Sequence, residues 1–316
     1  MIKKNNELAV VFMGTPDFAV PALRALNKNN FNVKLVVTQP DRPKGRGRKT
    51  EYSPVKTAAQ KMGYTIFQPS SVRTEEFAEK IRKINPDIMV VVAFGHILTK
   101  ELLGLPKLGT MNIHASLLPE YRGPAPVQWS IINGDKKTGV TIMLMDDGID
   151  TGDILLSETT QIRADDTAET LAKRLSLMGA DMLIETIKRL AANKITPVPQ
   201  DHKKSTYAPL FKKKDGHIDW NMPSQKIEAF IRGVTPWPGA FTFYSKKRLK
   251  IFKTVPVQID CDDTPGTVMK SFPDELRIAT GQGALSILEI QGASGNHLNI
   301  KEFLKGNMIS VGSVLS

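Results

Sequence analysis

Apolar positions follow two different rhythms along the chain, and the change falls near residue 210. Before it, short, nearly continuous apolar runs take turns with helical spacing. Residues 8–13 (LAVVFM), 33–38 (VKLVVT) and 87–94 (DIMVVVAF) are such runs. Strands covered on both faces read this way. Helical spacing follows in 19–26, 53–62 and 75–84. Ser53 suits an N-cap, and Pro54 suits the first helical position. This alternation predicts an α/β fold with a parallel sheet and helices on both faces. Residues 109–114 and 139–145 predict two further strands. Residues 167–192 predict one long amphipathic helix, capped by Thr167 with Glu169 or Thr170 near the capping-box position.

Residues 193–210 hold Pro197, Pro199 and Pro209 with little periodicity, and read as a linker. The expected organisation is a domain over 1–192, that linker, and a second domain over 211–316. In the second domain, short strands at 241–244, 249–253, 266–269, 276–279 and 285–290 are separated by turn signals. Such spacing predicts a small β-barrel or sandwich, with one helix near 223–232.

Composition narrows the choices. Hydrophobic residues are 41% and charged residues 24% of 316, which excludes a disordered or fibrous chain. No apolar run is long enough for a membrane helix, and the first residues lack a signal-peptide pattern. The single cysteine, Cys261, excludes an internal disulfide and a cysteine-rich metal site. A cytoplasmic protein away from membranes is expected. The net charge of +11 suits a polyanionic partner: nucleic acid, an anionic membrane or a phosphorylated ligand. The tail is the more basic part per residue, at +5 over 201–316 against +6 over 1–200.

Three segments carry candidate chemistry. Gly14-Thr15-Pro16-Asp17-Phe18 ends the first strand, where ligands of open α/β sheets bind. It matches neither a dinucleotide fingerprint nor a phosphate loop. Residues 38–49 place Arg42, Lys44, Arg46, Arg48 and Lys49 among prolines and glycines. That spacing argues against a regular helix or strand and predicts a cationic loop suited to phosphates. The third is Asn112-x-His114-Ala-Ser116-Leu117-Leu118-Pro119, with the acidic glycine loop 146–153 after it. On a strand, Asn112 and His114 share a face. An amide beside an imidazole can bind a carbonyl oxygen and its developing charge. A carboxylate of the acidic loop can meet His114 and hold its tautomer or move a proton. The residues alone leave open a structural histidine and a plain turn; the calcium-loop order is absent.

These segments, with Val91-Val92-Ala93-Phe94-Gly95, Ile218-Asp219-Trp220 and Pro236-Trp237-Pro238, together resemble the methionyl-tRNA formyltransferase family. The resemblance runs in order over most of the chain. It implies a Rossmann-like N-terminal catalytic domain and a C-terminal barrel like an oligonucleotide-binding fold. It implies formyl transfer from 10-formyltetrahydrofolate to the α-amino group of initiator methionyl-tRNA, without a metal. It implies Asn112, His114 and Asp150 as the catalytic trio. The folate would lie along Ser116, Leu117, Leu118 and Pro119, with Phe94 and Gly95 as walls. The tRNA would meet Arg42, Lys44, Arg46, Arg48 and Lys49, with Lys212 and Lys213 following phosphates. A monomer is expected. The rivals share the chemistry but differ in acceptor: a purine-pathway amine, an amino-sugar nucleotide, or water. A non-catalytic RNA-binding module is the remaining alternative.

Overall fold

The computed structural model describes residues 4–44, 49–260, 262–293 and 295–316, and leaves the side chains of 42–44, 49 and 50 undescribed. The elements in chain order are β1 (Ala9–Gly14), α1 (Val20–Lys28), β2 (Asn32–Val37), β3 (Arg42–Lys44), β4 (Lys49–Glu51), α2 (Pro54–Lys61), β5 (Ile66–Phe67), α3 (Glu75–Ile84), β6 (Ile88–Val92), α4 (Lys100–Leu103), β7 (Thr110–His114), α5 (Pro126–Ile132), β8 (Lys137–Leu144), β9 (Ile154–Gln161) and α6 (Ala168–Ala191). Then come α7 (Ser224–Gly233), β10 (Ala240–Tyr244), β11 (Lys247–Val257), β12 (Val268–Lys270), β13 (Leu276–Ala279), β14 (Ala284–Gln291), β15 (His297–Asn299) and α8 (Ile300–Gly306).

The caps act as their side chains dictate. The Ser53 hydroxyl accepts from the Lys56 N–H at 3.0 Å, with Pro54 next. Thr167 and Thr170 exchange bonds, each hydroxyl accepting from the other's N–H at 3.3 and 3.0 Å. The reciprocal cap of α6 is therefore built on Thr170.

The chain divides into two compact units. Unit 1 comprises residues 1–123, 138–160 and 172–207; unit 2 comprises 124–137, 161–171 and 208–316.

Unit 1 is built on a seven-stranded sheet in the order β5-β2-β1-β6-β7-β8-β9. The pairs β5–β2, β2–β1, β1–β6 and β6–β7 are parallel, and β7–β8 is antiparallel. The apolar runs explain this. Val10, Val11, Phe12 and Met13 in β1 and Ile88 to Val92 in β6 are buried on both faces. The chain builds outward on one side of β1, then returns to place β6 on the other. That reversal makes a switch point, beyond whose strand ends ligands of open sheets bind.

Sequence spacing excluded a strand from 38–49, yet β3 and β4 pair antiparallel, with Arg42 opposite Glu51 and Lys44 opposite Lys49. A two-stranded ribbon tolerates Pro43, because a strand with no second neighbour has donors to spare. Residues 45–48 at its tip lie outside the described residues.

In unit 2, the strands form an antiparallel sheet in the order β10-β11-β14-β13-β12, with β15 beside β14. Residues 312–316 join its two edges. The N–H of Val268 donates to the Ser313 carbonyl, and the Gly312 N–H to the Val268 carbonyl. Phe243 and Ser316 exchange two backbone bonds at 2.7 and 3.0 Å. An edge strand's open donors and acceptors are thereby used, which curls the sheet toward a barrel. Its core gathers Ile218, Trp220, Ile227, Ile251, Leu285 and Leu315. The Trp220 indole N–H donates to Thr242 Oγ1 at 3.0 Å.

Candidate active site in unit 1

Strand β7 carries Asn112 and His114 two residues apart, on one face. Asp150 comes from the loop after β8 and has φ +53°, a left-handed conformation that Asp tolerates better than most residues. The three side chains meet. Asn112 Nδ2 donates to Asp150 Oδ1 at 3.3 Å. His114 Nδ1 lies 3.6 Å from Asp150 Oδ2, and both side chains are largely buried. That separation exceeds a hydrogen bond and leaves the ring's Nδ1 edge for another partner.

Backbone groups fix the trio. His114 Nε2 lies 2.9 Å from the Tyr121 carbonyl oxygen. A carbonyl only accepts, so Nε2 carries a proton and Nδ1 faces the carboxylate. The Gly123 N–H donates to Asp150 Oδ2 at 2.8 Å. One tripeptide, Tyr121-Arg122-Gly123, thus holds both the imidazole and the carboxylate. Tyr121 and Gly123 have φ of +57° and +107°. These reversals turn the carbonyl of one and the N–H of the other toward the same place.

Residues 114–119 support this arrangement from inside. The Ser116 hydroxyl donates to the Glu120 carbonyl at 2.6 Å, and Ser116 is fully buried. The Thr141 hydroxyl on β8 donates to the Ser116 carbonyl at 2.7 Å and accepts from the Leu118 N–H at 3.1 Å. Leu118 is buried; Leu117 and Pro119 are half-buried.

The other expected wall follows β6, the parallel neighbour of β7, with Val91 opposite Asn112. The Phe94 ring is buried, and its carbonyl takes the Thr15 hydroxyl at 3.2 Å and the Gln39 amide at 3.1 Å. Ala93, Gly95 and Ile97 are the exposed positions of that segment. Gly95 has φ +81°, and a Cβ there would sit 2.5 Å from Gln39 Nε2. The positive φ is what favours glycine there, since the Gln39 side chain could move aside.

The structure therefore brings Asn112, His114 and Asp150 together and sets the 94–95 and 116–119 segments at the ends of neighbouring strands. Lys212 and Lys213 are exposed on a short 3-10 turn of unit 2, which the Asp215 carboxylate caps by accepting the Lys212 N–H at 2.7 Å. Arg46 and Arg48 lie outside the described residues, as do the side chains of Arg42, Lys44 and Lys49. Sequence reading passed over the Tyr121 carbonyl, the Gly123 N–H and the buried pair Arg122 and Gln200. The first two are backbone groups. The run Tyr121-Arg122-Gly123-Pro124 shows in sequence only a rigid loop.

A mostly parallel sheet with an amide, an imidazole and a carboxylate gathered at the carboxyl end of β7, beside a switch point, is the layout of an enzyme site. Residues 6–187 match the family model "Formyl transferase", and 211–308 match "Formyl transferase, C-terminal domain". A methionyl-tRNA formyltransferase of Caldanaerobacter subterraneus subsp. tengcongensis is 48% identical over 309 residues, covering 98% of this chain and 100% of that one. The chain belongs to the formyl transferase family, in its methionyl-tRNA formyltransferase branch. Two solved structures share the fold. An N-formyltransferase from Helicobacter canadensis, in complex with folinic acid and dTDP-3-aminofucose, gives a TM-score of 0.65 at 23% identity over 89% of this chain and 98% of that chain. A HypX variant from Aquifex aeolicus gives 0.64 at 17% identity over 95% of this chain, which spans 49% of HypX.

Proposed function

We propose that this chain transfers the formyl group of 10-formyltetrahydrofolate to the α-amino group of methionine on initiator tRNA, acting as a monomer in the cytoplasm. The observation that carries the chemistry is the convergence of Asn112, His114 and Asp150 on one carboxylate-centred point. The relatives' names and the basic charge support the acceptor.

Asn112 keeps one amide hydrogen on Asp150 and has a second to offer. His114 donates to the formyl oxygen only as the doubly protonated ring, with its Nε2–H kept on the Tyr121 carbonyl. Together they stabilise the oxygen as the formyl carbon turns tetrahedral. Asp150, through a water, takes the proton the amine sheds as the new C–N bond forms. It returns that proton to the folate nitrogen as the old C–N bond breaks, so charge and protons balance. Ala93, Gly95, Ile97 and Leu117 offer mostly apolar surface for a flat ring, with backbone groups for its edge. Arg42, Lys44, Arg46, Arg48 and Lys49 supply a cationic loop for the acceptor end. Lys212 and Lys213 meet phosphates elsewhere.

The test is purified protein with 10-formyltetrahydrofolate and methionyl-tRNA, initiator against elongator, following formyl-methionine after deacylation. Formylation of the initiator is expected. Donor consumption without formyl-methionine would turn the reading toward another amine or water.

A further inference from the structure

Asp150 is held at its carboxylate by Gly123, but a second device holds its backbone. Gln200 is buried, in a stretch read from sequence as linker, and its Nε2 donates to the carbonyls of Asp150 at 2.9 Å and Gly152 at 2.7 Å. These two bonds span the left-handed turn that aims the Asp150 side chain. The turn has no slack: a Cβ on Gly152 would lie 1.7 Å from the Leu144 carbonyl oxygen.

Gln200 can do this only with its amide the right way round. Arg122, also buried, decides that. Its Nε and Nη2 both donate to Gln200 Oε1, at 3.1 and 2.7 Å. Arginine has no acceptor, so the oxygen must face it and both amide hydrogens must face the turn. Arg122 is itself fixed. Nη2 also meets His202 Nδ1 at 3.1 Å, and the Arg122 N–H donates to the Thr206 carbonyl at 2.9 Å. The residues on either side of Arg122 are those whose backbone holds His114 and Asp150.

We propose that Gln200, oriented by Arg122, is a positioning residue for formyl transfer that acts through Asp150. The inference rests on the reading above. Gln200 touches no reacting atom; it fixes where the proton acceptor stands. A displacement of about 1 Å at such a group costs on the order of a hundredfold in rate.

Gln200→Glu is the discriminating change. It keeps the shape and strengthens the contact to Arg122, but removes both donors and sets an oxygen against two carbonyls. The measurement is single-turnover formylation of initiator methionyl-tRNA, with KM for both substrates and thermal unfolding alongside. Turnover is expected to fall about 10- to 100-fold with KM nearly unchanged. In an Asp150→Asn background the same change is expected to cost less than about twofold, because coupled groups are not additive. Full turnover in Gln200→Glu, or the same loss in both backgrounds, overturns the proposal. If Gln200→Glu does not fold, Arg122→Lys, which keeps one donor to Oε1, is run through the same cycle and read the same way. Wild-type formylation in the same assay tests the underlying reading separately: its absence removes the acceptor assignment and not the clamp alone.

Discussion

The trio of unit 1 and the cationic surface of unit 2 are built on opposite terms. Asn112, His114 and Asp150 are largely enclosed, and backbone groups or the buried Gln200 hold His114 and Asp150. Lys212 and Lys213 are exposed and carry their charge on long flexible stems. The contrast fits the tasks proposed for each. Stabilising one oxygen and moving one proton needs groups placed to a fraction of an ångström. Attracting a polyanion needs only sign and density of charge. Arg248 in unit 2 differs from these lysines: its guanidinium lies over the Phe241 ring, 3.7 Å from the centroid. Stacked there, it is partly engaged in packing.

The largest break in the comparison is expected at the fixed end. His114→Ala should lower turnover about a hundredfold to a thousandfold, with tRNA affinity and its salt dependence unchanged. Rapid-quench formylation and a salt series of binding constants measure the two separately. Full turnover in this variant would sink the catalytic assignment. Next comes the scaffold of unit 2. Leu315 is 2% exposed in the barrel core, in the segment that joins the sheet's edges. Leu315→Ala should cost about 2–3 kcal/mol in urea unfolding. A cost near zero would mean that residues 312–316 decorate the barrel without closing it.

A smaller effect is expected at the loose end. Lys212→Ala and Lys213→Ala should weaken tRNA binding evenly across tRNAs and flatten its salt dependence by about one unit of slope each. An effect confined to one tRNA would show a specific contact in place of a diffuse field. An unchanged slope would remove these lysines from the interface.

Much of this contrast was legible in sequence where side chains carry it. The doubly covered strands at 8–13, 33–38 and 87–94 announced themselves as apolar runs, and Ser53-Pro54 announced a cap. Asn112 and His114 were visible because a strand's period of two puts them on one face. What was hidden lies in the backbone. The holders of His114 and Asp150 are a carbonyl and an N–H, which any residue supplies. The turn between β10 and β11 is made by Ser245 and Lys246, both at positive φ, without the glycine that normally marks such a hairpin. Strand β11 therefore begins at Lys247, earlier than its apolar residues suggest. Gln200 sat among prolines in a stretch with no periodicity, and only the fold shows that its amide reaches Asp150. Residues 312–316 are too short and mixed to read as part of a sheet. Their role comes from the two edges that they find.

The finest test concerns a place where fixed geometry meets a cationic segment. Asp41 precedes the hairpin β3–β4. Its carboxylate accepts from Lys56 Nζ and from Gln68 Nε2, the latter at 2.8 Å. The hydrogen bond from Lys56, and then that from Gln68, hold the Asp41 carboxyl below its ordinary value of 3.8. A depressed value means that the folded state binds fewer protons than the unfolded one. The stabilisation is therefore present above 3.8 and is lost as pH falls through the lower folded value. Asp41 and Lys56 keep some exposure, with side chains 21% and 13% accessible, so screening limits the effect to about 1 kcal/mol or less. Asp41→Asn should lose that much in urea unfolding at pH 7. The gap to wild type should close as the pH is taken below 3.8. A gap that persists there would mean that Asp41 holds the base of the hairpin by shape, and that its charge contributes nothing.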